Sequence, residues 1–187
     1  LMSDLRGFSA LSETLLPAQV IELLNRYLGI MVDVILHYQG TIDEIIGDGL
    51  LVIFGAPMPI EDHAERAVAC GVAMQLAMAD VNKANRQAGL PELEMGIGIH
   101  TGQVVVGNIG SHKRTKYGVV GSPVNLTGRI ESYSVGKQIL VSETTRKNLH
   151  VPLRVDSELA IEPKGAQGKL TIYEVGGIGG EYNLQLP

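Results

Sequence analysis

Two long stretches of helical periodicity, each standing between β-branched runs, restrict the possible folds of this chain more than any other feature. From Ser12 to His37 the residues Val20, Leu23, Leu24, Tyr27, Leu28, Met31, Val34 and Ile35 form one apolar stripe at the spacing of a helix face. Pro17 sits where a first helical turn accepts it, and Gly40 ends the segment. Glu61 to Ala88 reads as a second long helix, closed by Gly89 and Pro91. Between them, Thr41 to Phe54 is two β-branched runs around Gly47-Asp48-Gly49, which predicts a hairpin. A strand ending at Asp4 precedes the first helix, and Glu94 to His100 follows the second.

This order is β-α-β-β-α-β, the ferredoxin-like split βαβ arrangement, an α+β fold with helices on one face of the sheet. Glu94 to His100 and Gln103 to Ile109 are expected to pair through Thr101-Gly102. Further on, Lys116 to Val120 reads as a strand, Pro123 to Tyr133 as a short helix and Gln138 to Ser142 as another strand. Leu153 to Leu159 and Leu170 to Val175 are expected to be added C-terminal edge strands. No internal repeat interrupts the pattern, and 187 residues suit one domain. The abrupt start at Leu1-Met2-Ser3-Asp4, with no cap or linker, reads as a fragment of a longer protein. A fold of this kind hosts many activities and settles none.

Composition removes several classes. A net charge of −5 argues against a nucleic-acid binder. An RNA-binding module on this fold would present aromatics on its sheet, and two Phe, six Tyr and no Trp offer few. No apolar run reaches the roughly 18 residues a membrane span needs, and no signal-peptide pattern opens the chain, so neither membrane contact nor secretion is expected. The lone Cys70 forbids an internal disulfide, fits a cytoplasmic setting and is read as a buried helical residue. His63 and His100 lack metal-ligand spacing, and Met74, Ala77 and Met78 read as helix packing.

Chemistry concentrates at the strand ends. Asp4 ends the first strand and Asp48 tips the hairpin, and in a split βαβ sheet those two strands are neighbours. Hard divalent ions such as Mg²⁺ take one or two carboxylates together with substrate phosphates. A turn Asp and a helix cap would also account for both residues taken singly. Beside Asp4, Leu5-Arg6-Gly7-Phe8-Ser9 turns from strand to helix, a junction whose backbone N–H groups point at a phosphate. Asn125 and Arg129 are four residues apart on a predicted helix and share its face. Glu44 falls in phase with Ile42 and Ile46, which places a carboxylate on an apolar face where it needs a partner. The N1–H and 2-amino group of guanine are two adjacent donors for such a carboxylate, whereas adenine presents an acceptor at N1.

Three segments then carry a family resemblance. Ser3-Asp4-Leu5-Arg6-Gly7-Phe8-Ser9 resembles the opening motif of class III adenylyl and guanylyl cyclases. Ile46-Gly47-Asp48-Gly49-Leu50-Leu51-Val52-Ile53-Phe54-Gly55 resembles their second metal motif, and Gly118 to Glu131 resembles the third. The chain is thus similar to a bacterial class III nucleotidyl cyclase catalytic domain of the guanylyl cyclase type. The resemblance implies two divalent ions, Mg²⁺ or Mn²⁺, on Asp4, Asp48 and the Leu5 carbonyl. It implies a triphosphate held by the amides of Gly7, Phe8 and Ser9, and Asn125 and Arg129 orienting ribose and stabilising the pentavalent phosphorus.

Lys113 and Arg114 are further candidates for the triphosphate. Lys164 resembles a family lysine for the terminal phosphates, with Lys169 competing for that role. Adenylyl cyclases usually carry Lys at the position of Glu44 and guanylyl cyclases Glu. At the position of Gly118 the former have Asp or Thr, and vertebrate guanylyl cyclases have Cys. Gly118 therefore fits neither pattern fully but leaves room for guanine O6. Ser122-Pro123 and Thr127-Gly128 also depart from the usual Asp-Thr and Ala-Ala. The expected activity is conversion of GTP to cyclic GMP by a homodimer with shared sites, joined to regulatory domains of the parent chain. An adenylyl cyclase with atypical selectors and a catalytically silent dimerisation homologue are the alternatives.

Overall fold

The computed structural model describes residues 1–163 and 168–187. The order is β1 (Met2–Leu5), α1 (Phe8–Glu13), α2 (Pro17–His37), β2 (Thr41–Ile46), β3 (Gly49–Ile53), α3 (His63–Gln87) and β4 (Met95–Ile99). Then follow β5 (Val105–Ser111), β6 (Arg114–Val120), α4 (Ser122–Ser132), β7 (Ile139–Ser142), α5 (Glu143–Lys147), β8 (Leu153–Ile161), β9 (Leu170–Ile178) and β10 (Leu184–Gln185). In the main sheet β4, β1, β3 and β2 lie side by side in that order, as a split βαβ unit requires. The sheet is continued beyond β4 by β7, β9 and β10, with β8 on β9.

The α2 stripe does what its spacing predicts: Leu23, Tyr27, Met31 and Ile35 are fully buried. Together with α3, which buries Val68, Cys70, Val72, Met74 and Val81, they cover one face of the sheet. The first helical stretch is divided. Helix α1 ends at Glu13, and α2 restarts at Pro17, where Gln19 Oε1 accepts from the Leu16 N–H at 3.0 Å. A proline at the first position has no N–H to lose, so it sets the start of the longer helix.

Helix α4 takes the opposite face. A Cβ on Gly98 of β4 would overlap the backbone of Glu131, so the helix lies directly on that strand and only glycine fits beneath it. A smaller apolar cluster of Ile130, Leu140, Ile161 and Ile172 holds it there.

Two pairings differ from expectation. Strand β4 does not pair with β5; it lies between β1, antiparallel, and β7, parallel. Strand β5 instead pairs with β6 as a separate two-stranded ribbon, from Val105 opposite Val120 to Ser111 opposite Arg114. The fully buried Ile97 and Ile99 of β4 belong in a sheet centre, whereas β5 is exposed along most of its length. Nor is β9 an edge, since β7 and β10 pair with it as well as β8.

Candidate active site

Strand register places the two carboxylates. Asp4 of β1 stands opposite Gly96 of β4, and Ser3 opposite Leu50 of β3, so the Gly47-Asp48 turn lies beside the end of β1. Asp48 Oδ2 accepts from the Leu5 backbone N–H at 3.1 Å. Asp4 lies over Gly49, where a Cβ would come 3.5 Å from its Oδ1. Burial, and then the charge of Asp48, push the Asp4 acid above the usual carboxylate range. Two partly buried carboxylates pressed together fit a hard divalent cation, which would relieve both the burial and the repulsion. Among the described residues no cluster of three or more His, Cys, Asp or Glu exists, so a cation here would draw its other ligands from carbonyl, water or phosphate oxygen.

The chain then turns through Gly7, whose φ of 68° lies in the left-handed region that favours glycine. Phe8 is buried and anchors α1, while Gly7 and Ser9 are exposed. The Gly7 carbonyl accepts the Leu11 N–H, but no side chain caps the helix start. The first N–H groups of a helix lack intrahelical acceptors. Here they open beside the two carboxylates.

Arg6 links this corner to α4. It pairs with Glu131 and approaches Asp4 at 3.6 Å, and its Nη1 donates to the Ser134 carbonyl at 3.2 Å. Asn125 and Arg129 project from α4 without comparable ties. Asn125 is exposed and Arg129 half-buried, and among the described residues neither side chain has a hydrogen-bond or ion-pair partner. The first turn of α4 lies at the far end of the sheet: Pro123, Val124 and Thr127 line a cavity of about 360 Å³ with Leu1, Phe54 and Gly102. Among the described residues, no hydrogen bond or ion pair within one chain joins the side chains of Asn125 or Arg129 to Asp4 or Asp48.

The Glu44 region differs from the sequence reading. Ile42 faces Val52 and Glu44 faces Leu51, so Asp43 is an extra residue, a β-bulge. One inserted residue reverses the alternation, and Glu44 leaves the helix-covered face on which Ile42 lies. It stays in phase with Ile46 only, and Ile46 is exposed. Instead of burial among apolar side chains, the Glu44 side chain is 46% exposed and accepts from Lys116 Nζ at 3.0 Å. Gly118 is buried on β6, and a Cβ there would lie 3.2 Å from Ile109 Cδ1, 3.6 Å from Lys116 Cε and 3.7 Å from Asp43 Oδ1. Glu44 and Gly118 are thus brought to one locus by the packing of β6 against β2.

The sequence matches the family described as adenylate and guanylate cyclase catalytic domain over residues 1–177. The chain belongs to that family. The crystal structure of the guanylyl cyclase Cya2 is 56% identical with a TM-score of 0.97, covering 100% of this chain and 94% of that one. The adenylyl cyclase CyaB from P. aeruginosa is 37% identical with a TM-score of 0.87, covering 93% and 90%. Adenylate cyclase 1 of Rhizobium meliloti (strain 1021) is 31% identical over 180 residues, 95% of this chain but 27% of that protein. The chain thus spans about a quarter of the length of that curated relative. It is a class III nucleotidyl cyclase catalytic domain, and relatives of both base specificities share its fold.

Other residues of the cyclase domain take plainer places. Lys113 and Arg114 are exposed at the tip of the β5–β6 ribbon, away from the Asp4 corner in sequence and sheet. Lys164 lies outside the described residues; Lys169 is exposed, 3.9 Å from Glu162. Cys70 is buried, and burial pushes its thiol up to about 12. His100 Nδ1 lies 2.8 Å from Ser142 Oγ. No described helix is long and apolar enough to cross a membrane. Sequence reasoning passed over Arg6, Asp43 and Lys116. Period-two alternation along Lys116-Tyr117-Gly118 was the available signal for the last, since it puts Lys116 and Gly118 on one face.

Proposed function

We propose that this domain is a guanylyl cyclase acting as a homodimer on GTP at sites shared between two chains. The observation that supports this reading is that the candidate residues have no partner for one another on one chain. Asp4, Asp48 and the uncapped start of α1 lie at one corner, and the side chains of Asn125 and Arg129 stand unpartnered on α4 among the described residues. A two-fold dimer completes two equivalent sites by joining the corner of one chain to α4 of the other.

In this reading the amides of Gly7, Phe8 and Ser9 donate to the triphosphate oxygens, with Lys113, Arg114 and Lys164 or Lys169 as candidates for further phosphate charge. Asn125 orients the ribose so that its 3′-oxygen lines up with the α-phosphorus. The 3′-oxygen forms a bond to that phosphorus as its proton leaves to solvent, and the bond from the α-phosphorus to the bridging oxygen breaks to release pyrophosphate. The Arg129 guanidinium meets the charge that builds on the phosphoryl oxygens. Asp4, Asp48 and the Leu5 carbonyl would hold two divalent ions, Mg²⁺ or Mn²⁺, whose chemistry is to acidify the hydroxyl and neutralise the leaving group.

Glu44 supports GTP as the substrate, because a carboxylate accepts from guanine N1–H and the amino group and repels adenine N1. The setting is a cytoplasmic one, where GTP is available, under regulatory domains of the parent chain. The test is product formation from GTP and from ATP in parallel, with Mg²⁺ and with Mn²⁺. Cyclic GMP in large excess over cyclic AMP is the expected result. Equal turnover of both would overturn the GTP assignment, and no product from either would favour a silent dimerisation homologue.

A further inference from the structure

Strand β4 carries glycine at 96 and 98, two positions on one face of the sheet. A Cβ at Gly98 would overlap the backbone of Glu131, and one at Gly96 would lie 2.9 Å from Arg6 Nε and run into Ser134 Oγ. The two glycines thus cut a notch in which the end of α4 meets the Arg6 side chain. Arg6 pairs there with Glu131, and its Nη1 donates to the Ser134 carbonyl at 3.2 Å. The Arg6 and Glu131 side chains are 24% and 13% exposed, so both charges are mostly withdrawn from water. The Arg6 backbone is fixed as well, since its N–H donates to the Glu94 carbonyl at 2.7 Å.

Glu131 is the only acidic residue of α4, and with the buried Thr127 and Ile130 it forms the inward face of that helix. Arg129 is two positions from Glu131, about 200° round the helix, so pinning Glu131 inward turns Arg129 and Asn125 outward. Ile130 and its apolar neighbours resist lifting of α4, but apolar contacts are non-directional and let a helix roll or slide. A planar guanidinium that holds a carboxylate and a carbonyl at once selects one orientation. It also stands at the C-terminal end of α4, where the helix dipole favours a cation. We propose that Arg6 is a positioning residue whose pairing with Glu131 sets the seating and roll of α4 and thereby aims Asn125 and Arg129. This rests on the shared-site reading above, in which α4 of one chain faces the carboxylate corner of the other. Arg6 then stands beside the Asp4 of one site, 3.6 Å from its Oδ2, yet organises the other site.

Directed complementation tests this. When an Asp4→Asn chain is mixed with an Arg129→Ala chain, the one intact site takes its corner from the second and its α4 from the first. Arg6→Met is then added to one chain at a time. In the Asp4→Asn chain, which supplies the working α4, it should cut the recovered kcat by about tenfold or more and change KM for GTP little, because Arg129 acts on charge that develops in the transition state. In the Arg129→Ala chain, which supplies the working corner, the same substitution should leave most of the recovered activity. Arg6→Lys, with one ammonium in place of the fork, should give a smaller loss with the same dependence on the chain that carries it. Circular dichroism and sedimentation of each mixture check that the chains are folded and dimeric, and Arg6→Lys carries the comparison if Arg6→Met does not dimerise. A loss larger in the Arg129→Ala chain would mean that Arg6 serves Asp4 locally, and equal losses would mean a structural role alone. Either of these, or no loss in either chain, overturns the proposal. If the mixture without any Arg6 change recovers nothing despite subunit exchange, the shared-site reading fails first.

Discussion

The Leu5 backbone N–H donates to Asp48 Oδ2 at 3.1 Å, so the hairpin turn is tied to the strand that carries Asp4. The tie holds the Asp48 charge where it adds to burial in raising the cost of ionising Asp4. Their juxtaposition is thus maintained by backbone register rather than by favourable contact between them.

Asp4→Asn and Asp48→Asn should each cut turnover by about a hundredfold or more, the scale of losing a charge-stabilising group from the reacting centre. Stability should move the other way. An acid raised in the folded state holds its proton more tightly than in the unfolded chain, so its ionised form costs stability at neutral pH. Metal-free Asp4→Asn should therefore melt no lower than the unmodified domain. Paired activity assays and thermal melts check both halves. A variant that keeps most of its activity would remove the carboxylate from the mechanism.

Shared sites predict complementation. Asp4→Asn and Arg129→Ala should each be nearly inactive alone. Mixed and allowed to exchange, they should recover about a quarter of the unmodified activity, because half the dimers are hybrids and one of the two sites in each is intact. No recovery after demonstrated subunit exchange would mean that Arg129 and Asp4 serve the same site from the same chain.

His100 gives a pH-dependent signature of the fold. Burial lowers its pKa below the ordinary 6.5. As pH falls through 6.5 the unfolded chain takes up a proton that folded His100 refuses, so stability present above that value is progressively lost below it. Denaturant unfolding at pH 7.5 and 5.5 should show a larger drop for the unmodified domain than for His100→Asn. Equal drops would mean that His100 is not desolvated in the folded protein.

Much of this was readable in the sequence, because long helices and hairpin turns announce themselves locally. The stripe from Val20 to Ile35 and the Gly47-Asp48-Gly49 turn required only spacing and turn chemistry. What escaped was pairing decided at a distance. Strand β4 and β5 are joined by a short link, yet the sheet centre claims β4 and leaves β5 to β6. The Asp43 bulge is another case: one extra residue in β2 carries no local mark, but it sends Glu44 to the other face and within reach of Lys116. Alternation along Lys116-Tyr117-Gly118 was legible; that this strand lies against β2 was not.

The same bulge changes what a specificity swap requires. Glu44→Lys with Gly118→Thr would give adenine a donor for N1 and an acceptor for its amino group. In this structure the Gly118→Thr side chain would press on Ile109 Cδ1, 3.2 Å from the Cβ position, and pack against the Lys116 chain, 3.6 Å away at Cε. Glu44→Lys would also set an ammonium against Lys116 in place of a carboxylate, leaving two like charges about one ion-pair distance apart. The double change should therefore lose activity towards GTP and gain little towards ATP. Adding Lys116→Met removes the repulsion while keeping a chain of similar length, and the triple variant should favour ATP. Each mismatched polar contact costs about 1–3 kcal/mol, so the GTP-to-ATP ratio of kcat/KM should fall by roughly a hundredfold or more between the unmodified and triple forms. Steady-state kinetics with both nucleotides measure this directly. If the double variant already prefers ATP and the third change adds nothing, Lys116 does not shape the base site.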